Sequence, residues 1–331
     1  MRIAGMESRD LAISVKGKWV RVPALPVNGR HLVANGRWIR TASVHDEGWL
    51  EQPVDDAQLY VDALQRESRR LNADIFTFAQ RLPDLVPRHS FPMEWDNVAA
   101  IPLDHPEKWW EGLPQVARKN VRRAQKRGVT VSLTTLNDDL IRAIVAINDE
   151  SPMRQGKPFY HYGKDFDSVK RDYSSFADRS EYVCAYCEGE LIGFIQLVYM
   201  GRIAAVLEIL MKTAHYDKRP ANALIEKAVR HCSEKGMSHL TYGKYSYGNK
   251  GADNPLTEFK ARNGFEEFRV PRYYVPLTAT GRMCIALKLH RGLLEILPER
   301  VISPLLALRR VWYRANAIRR PVSLSGRAAE L

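Results

Sequence analysis

Three strand-forming runs follow one another at 181–187, 191–200 and 203–211, broken only by turns at Gly189 and Gly201. They are rich in Val, Ile, Leu, Tyr and Cys, which fits half-buried or fully buried strands. A helical period comes next: Ala221, Leu224, Ile225, Ala228, Val229 and Cys232 fall on one face, and Gly236 ends the run. A further strand starts at His239, a short helix spans 256–262, and 265–275 is strand-like up to Pro276. A β-meander that feeds a strand–helix–strand unit admits few folds, and all of them are α/β.

The N-terminal third is less regular. Short strands are expected at 11–15, 19–22 and 38–41, with Asn28-Gly29 and Asn35-Gly36 as turns. A helix over 55–71 and a buried strand over 73–79 come next. Prolines at 83, 87, 92, 102 and 106 predict a long irregular connection. The helix after it carries Arg118-Lys-Asn-Val-Arg-Arg-Ala-Gln-Lys-Arg, six basic residues in ten positions, and Gly128 closes it. A charge run of this kind is first of all a solvated face; as a binding surface it would make salt-sensitive phosphate contacts.

The chain has 331 residues, enough for more than one core. The expected division is 1–135 as an N-terminal α/β region, 136–278 as the catalytic domain, and 279–331 as a basic amphipathic helical tail. Of a net charge of +12, seven units fall between Arg282 and the C-terminus, where ten Lys or Arg stand against three Glu. Interleaved Leu, Ile and Trp312 suit this tail either to docking on the core or to lying on an anionic membrane surface. Four cysteines and no secretory leader predict a cytoplasmic protein, peripheral at the inner membrane face if the tail binds lipid. Cys184 and Cys187 lie in a strand with their side chains on opposite faces, against a metal or redox role, and no metal is expected.

The meander, the strand Ala204-Ala-Val-Leu-Glu-Ile-Leu-Met, the helix from 221 and the terminal Glu258-Phe-Lys-Ala-Arg-Asn-Gly-Phe together resemble the GNAT acyltransferases. The resemblance is closer to the Fem-type aminoacyltransferases, which are built of two GNAT-like halves and carry a basic helix like that at 118–127. It implies a GNAT-like mixed twisted sheet flanked by helices, in one or two GNAT-like halves, with a C-terminal helical extension. It also implies acyl transfer from acetyl-CoA or another acyl-CoA to an amine or hydroxyl on a small or carrier-linked acceptor. The Fem-type alternative takes the acyl group from aminoacyl-tRNA. A third reading is an inactive GNAT-like binding module.

In such enzymes a glutamate on the central strand often serves as base, which singles out Glu208, and the donor lies at the start of the following helix. Met211, Lys218, Arg219, Ala221 and Asn222 are the matching donor-binding candidates, although the usual glycines of that loop are missing. The tyrosine that many GNAT enzymes use as acid is replaced by Phe259. From the residues themselves, the polar and aromatic loop 152–164 supplies His161 as a second base. Arg154, Gln155, Tyr160, Tyr162 and Lys164 are its substrate contacts. The glycine-rich loop after the strand at 239 adds Tyr245 as an acid, with Lys244 and Lys260 as acceptor contacts.

Overall fold

The computed structural model describes residues 10–15, 18–154, 156–247 and 254–291. Gln155 and the tail beyond Arg291 lie outside the described residues.

One sheet of eleven strands forms the centre. In chain order these are β1 (Ala24–Val27), β2 (Arg30–Asn35), β3 (Thr41–Val44), β4 (Ile75–Ala79), β5 (Met93–Pro102), β6 (Thr130–Thr134), β7 (Ser180–Cys187), β8 (Glu190–Met200), β9 (Ile203–Met211), β10 (His239–Thr241) and β11 (Glu266–Pro276). Their order in space is β1-β2-β3-β4-β11-β5-β10-β9-β8-β7-β6. The main helices are α1 (Ala57–Arg66), α2 (Gln115–Lys126), α3 (Asp138–Asn148), α4 (Phe166–Tyr173), α5 (Pro220–Glu234) and α6 (Pro255–Arg262).

Within this sheet only β3–β4 and β9–β10 pair in parallel. Parallel neighbours need a crossover, and a helix supplies it each time, α1 in the first case and α5 in the second. The succession meander, helix, parallel strand therefore occurs twice, once before residue 80 and once after residue 179. β11 enters from the end of the fold and pairs with β4 on one side and β5 on the other. The sheet is thus continuous across residue 135.

The residues alternate between two faces as strand geometry requires. One face packs α1, α2 and α5 over two clusters, in which Leu224, Ile225, Val229, Ile101 and Phe265 belong to the first and Tyr60, Phe76, Phe78 and Tyr273 to the second. Burying Leu224, Ile225 and Val229 contributes roughly 1.5–3 kcal/mol each, enough to seat α5 without help from its ends. The other face packs α3 and α4 through Ile144, Ile147, Val169 and Phe194.

Two expectations are corrected. The strand begins at Thr41, not at Trp38, whose ring is 88% exposed in a bend. The proline-marked stretch is not irregular throughout, because ten of its residues form β5, the middle strand of the sheet. Its prolines sit at or outside the strand's ends, and Pro102 is the last residue.

Past β11 the helix Ala279–Ala286 is capped by Thr278, whose hydroxyl accepts from the Gly281 amide and donates to Asp74. A Cβ on Gly281 would stand 2.0 Å from the Asp74 carbonyl oxygen. Gly281→Ala is expected to lower stability by about 1–3 kcal/mol, seen as a lower urea midpoint with an unchanged m-value.

Candidate active site

The site starts from an irregularity in β9. Gln196 on β8 pairs with Glu208, and the next pair is Leu197 with Val206, so Leu207 is an extra residue. Such a bulge turns the strand locally, and here Leu207 and Glu208 line one cavity while Ile209 and Met211 line another on the opposite face. β9 and β10 pair only over Ile203–Ala205 and His239–Thr241. Beyond Thr241 the chain leaves β9 but stays bonded to β5, through Tyr242 N to Ala99 O and Ala99 N to Gly243 O, both 2.9 Å. The sheet opens at that point, and Glu208 stands on the strand that borders the opening.

The first cavity, about 410 Å³, lies on the α3–α4 face. Glu208, His161, Tyr160 and Lys164 line it together with Gln196, Asp172 and Tyr173. The N-terminal part of the chain closes it with Asp46 and Trp49. His161 Nε2 stands 3.4 Å from Glu208 Oε1. Among the described residues neither ring nitrogen of His161 makes a hydrogen bond, nor does Nε2 of Gln196, although both side chains are buried. Unpaired buried polar groups are costly, so several of them around one hollow point to a polar occupant. Burial, and after it the Glu208 carboxylate, pushes the Tyr160 hydroxyl up to about 12 and holds Tyr173 well above the usual phenol range. Both phenols stay protonated, and can donate, throughout the neutral range.

The second cavity, also about 410 Å³, lies on the α2–α5 face. Met211, Arg219, Ala221 and Asn222 line it, as do Asn120 of α2, Tyr242, and Phe259 and Asn263 of the α6 end. Arg219 precedes α5 in the left-handed region, with φ 61°, and no side chain caps the helix. The backbone there offers few donors. Pro220 has no N–H, and the Asn222 amide is spent on the Arg219 carbonyl at 3.3 Å. The Asn222 side chain donates to Asn263, and Lys218 does not line the cavity but meets His215 at 2.8 Å.

The remaining candidates fall elsewhere. Arg154 serves the framework: it donates to the Met211 and Ile147 carbonyls and stacks on Phe159. Tyr162 is exposed, and neither it nor Tyr245 lines either cavity. Lys244 pairs with Asp96 at 2.9 Å. Lys260 is fully buried; its ammonium donates to the Lys244 carbonyl and lies 4.7 Å from the centre of the Tyr242 ring. It has no carboxylate partner among the described residues, and burial pushes it down to about 8.

Sequence reasoning missed Gln196, Tyr173 and Trp49. Gln196 had a local signal, as the one polar side chain in the run from Leu191 to Val198. Trp49 had none, since long-range folding alone brings it to Glu208.

Residues 115–260 match the family model described as an acetyltransferase (GNAT) domain. No curated protein matches the chain. Among solved structures, FemX superimposes with a TM-score of 0.54 at 10% identity, over 80% of this chain and 87% of that one. L-PGS from Bacillus licheniformis gives 0.52 at 12% identity, over 81% and 88%. The C-terminal domain of a protein described as a lysylphosphatidylglycerol synthetase, from Agrobacterium fabrum, gives 0.50 at 13%, over 80% and 86%. With a GNAT-type domain running from α2 into α6 and FemX-like topology over most of its length, the chain carries the GNAT fold in its Fem-like form.

Proposed function

We propose that the protein is an acyl- or aminoacyl-transferase with its donor in the α2–α5 cavity and an amine acceptor in the α3–α4 cavity, the two meeting where β9 and β10 part. The observation that carries this reading is Glu208, set by the bulge beside the opening, in a cavity where the buried His161 ring and the Gln196 amide nitrogen lack hydrogen-bond partners among the described residues. An amine suits that cavity better than a hydroxyl. Asp46, Asp172 and Glu208 line it with the rings of Trp49, Tyr160 and Phe176; Lys164 neutralises Asp172, so Asp46 and Glu208 carry the negative charge that attracts an ammonium group.

The acceptor's ammonium group gives one proton to solvent as it settles beside Glu208, which leaves a neutral amine with a free electron pair. Its nitrogen attacks the donor's carbonyl carbon and a C–N bond forms. Glu208 takes the proton that the nitrogen then sheds, and the bond from the carbonyl carbon to the carrier's oxygen or sulfur breaks. Phe259 cannot protonate the leaving atom, so its proton comes from solvent or is handed on from Glu208.

For the donor, an aminoacyl ester on tRNA fits better than acyl-CoA. The start of α5 offers few free N–H groups for a diphosphate, whereas α2 presents Lys119, Arg122, Arg123 and Lys126 to solvent beside the cavity, none with a carboxylate partner among the described residues. Acyl-CoA stays the second reading, favoured by the acetyltransferase family model and by the Met211, Arg219, Ala221 and Asn222 lining. Melting-temperature titrations with acetyl-CoA and with tRNA, each at two salt concentrations, separate the two. A saturable rise with tRNA that weakens with salt is expected. A rise with acetyl-CoA alone reverses the order, and no rise with either removes the transferase reading.

A further inference from the structure

A third cavity, about 260 Å³, opens on the same sheet face as Glu208. Trp49 forms part of the wall of both, so the two adjoin. The walls of the third cavity are mainly apolar, with Leu82, Val98, Ala205 and Val270 among them. Three cations and two carboxylates also line it: Arg81, Lys244 and Arg272 against Glu47 and Asp96.

Both carboxylates are already committed. Asp96 takes Lys244 at 2.9 Å and Arg272 Nε at 3.0 Å, and Glu47 takes Arg272 at 3.2 Å and the Ala79 amide. Arg81 has no carboxylate partner among the described residues. Its guanidinium donates only to uncharged groups, the Leu50 and Glu51 carbonyls and the Met200 sulfur. Burial, with Arg30 and Arg179 near by, disfavours its charge, and Glu47 and Asp55 offset this only in part. A half-buried guanidinium in that state is stabilised by any anion that reaches it.

Building on the reading of the Glu208 cavity as the amine site, we infer that the acceptor is bifunctional: its amine lies at Glu208, and a carboxylate or phosphate at its other end is held in the third cavity by Arg81 and Lys244. Its middle is apolar, to match Val98, Ala205 and Val270. Trp49, between the two ends, would select for the spacing between them.

The test uses the full chain and three probe series of matched and increasing chain length: ω-amino alkanoates, ω-aminoalkyl phosphates and plain alkylamines, with plain alkanoates as a control. Calorimetry is expected to find one of the anionic amines at least about tenfold tighter than the alkylamine of the same length. Whether the carboxylate or the phosphate series gains tells which anion the cavity takes. Arg81→Met should abolish that gain and leave alkylamine binding unchanged. Because Arg81 also ties down the Leu50 and Glu51 carbonyls, Lys244→Met, on a half-exposed side chain, gives an independent check with the same expected result. If both anionic series bind no better than alkylamines, or if neither variant reduces the gain, the anion subsite is wrong and the amine site stands. If the anionic amines bind no better than plain alkanoates, the amine reading itself fails, and the bifunctional acceptor with it.

Discussion

Glu208→Gln lowers turnover at least about a hundredfold while leaving the melting temperature within a degree or two of the native value. The size follows from what a positioned base contributes to proton removal in a transfer reaction. The small change in stability follows from the site. Glu208 is half-buried, His161 stands 3.4 Å from it, and the Tyr173 hydroxyl that lies against its carboxylate can donate to a glutamine oxygen equally well. Glutamine keeps the shape and the polar edge toward His161 but cannot take a proton. Single-turnover transfer, with whichever donor raises the melting temperature, measures the step directly. A variant that keeps turnover within threefold of the native protein would remove Glu208 as the base. His161→Asn separates the neighbouring role: if His161 only orients the acceptor, KM rises and kcat holds.

How far the sequence leads can be judged from these same residues. The meander and the strand–helix–strand unit are local: each strand carries its own alternation or apolar run, and α5 its own period, so β7 to β10 and α5 could be read directly. Glu208 could be read too, as the one acid in an apolar strand. β5 could not. Its first half is Met93-Glu-Trp-Asp-Asn, and its polar residues are explained only by partners far away in sequence, Arg272 for Asp96 and Arg291 for Glu94. The third cavity was hidden for the same reason. Glu47, Arg81, Asp96, Lys244 and Arg272 come from five separate stretches, and none has a spacing that signals the others. The bulge at Leu207, which turns Glu208 onto the face of Leu207 instead of that of Ala204 and Val206, leaves no trace in the residue pattern.

Lys260→Met is expected to make the protein more stable and much less active. A fully buried ammonium whose one hydrogen bond among the described residues is to a backbone carbonyl costs the fold energy, and burial has pushed its titration down from 10.5 to about 8. Because the folded pKa lies below the unfolded one, the penalty is constant below pH 8. Stability then rises with pH between about 8 and 10.5, where the unfolded chain still holds a proton that the folded chain has released. Methionine fills the same space without charge, so the variant should melt a few degrees higher at neutral pH and lose that rise. Activity should move the other way. The ammonium lies against Tyr242, which lines the donor cavity, and from there its field favours the negative charge that develops on the donor's carbonyl oxygen and leaving atom. Loss of a preorganised positive charge of this kind costs on the order of a hundredfold in turnover. In the native protein turnover should fall as pH rises through about 8, and Lys260→Met should lack that alkaline limb. A variant that is more stable, equally active and unchanged in its pH profile would make Lys260 a packing residue. Loss of both stability and activity would mean that the carbonyl contact to Lys244 matters more than the charge.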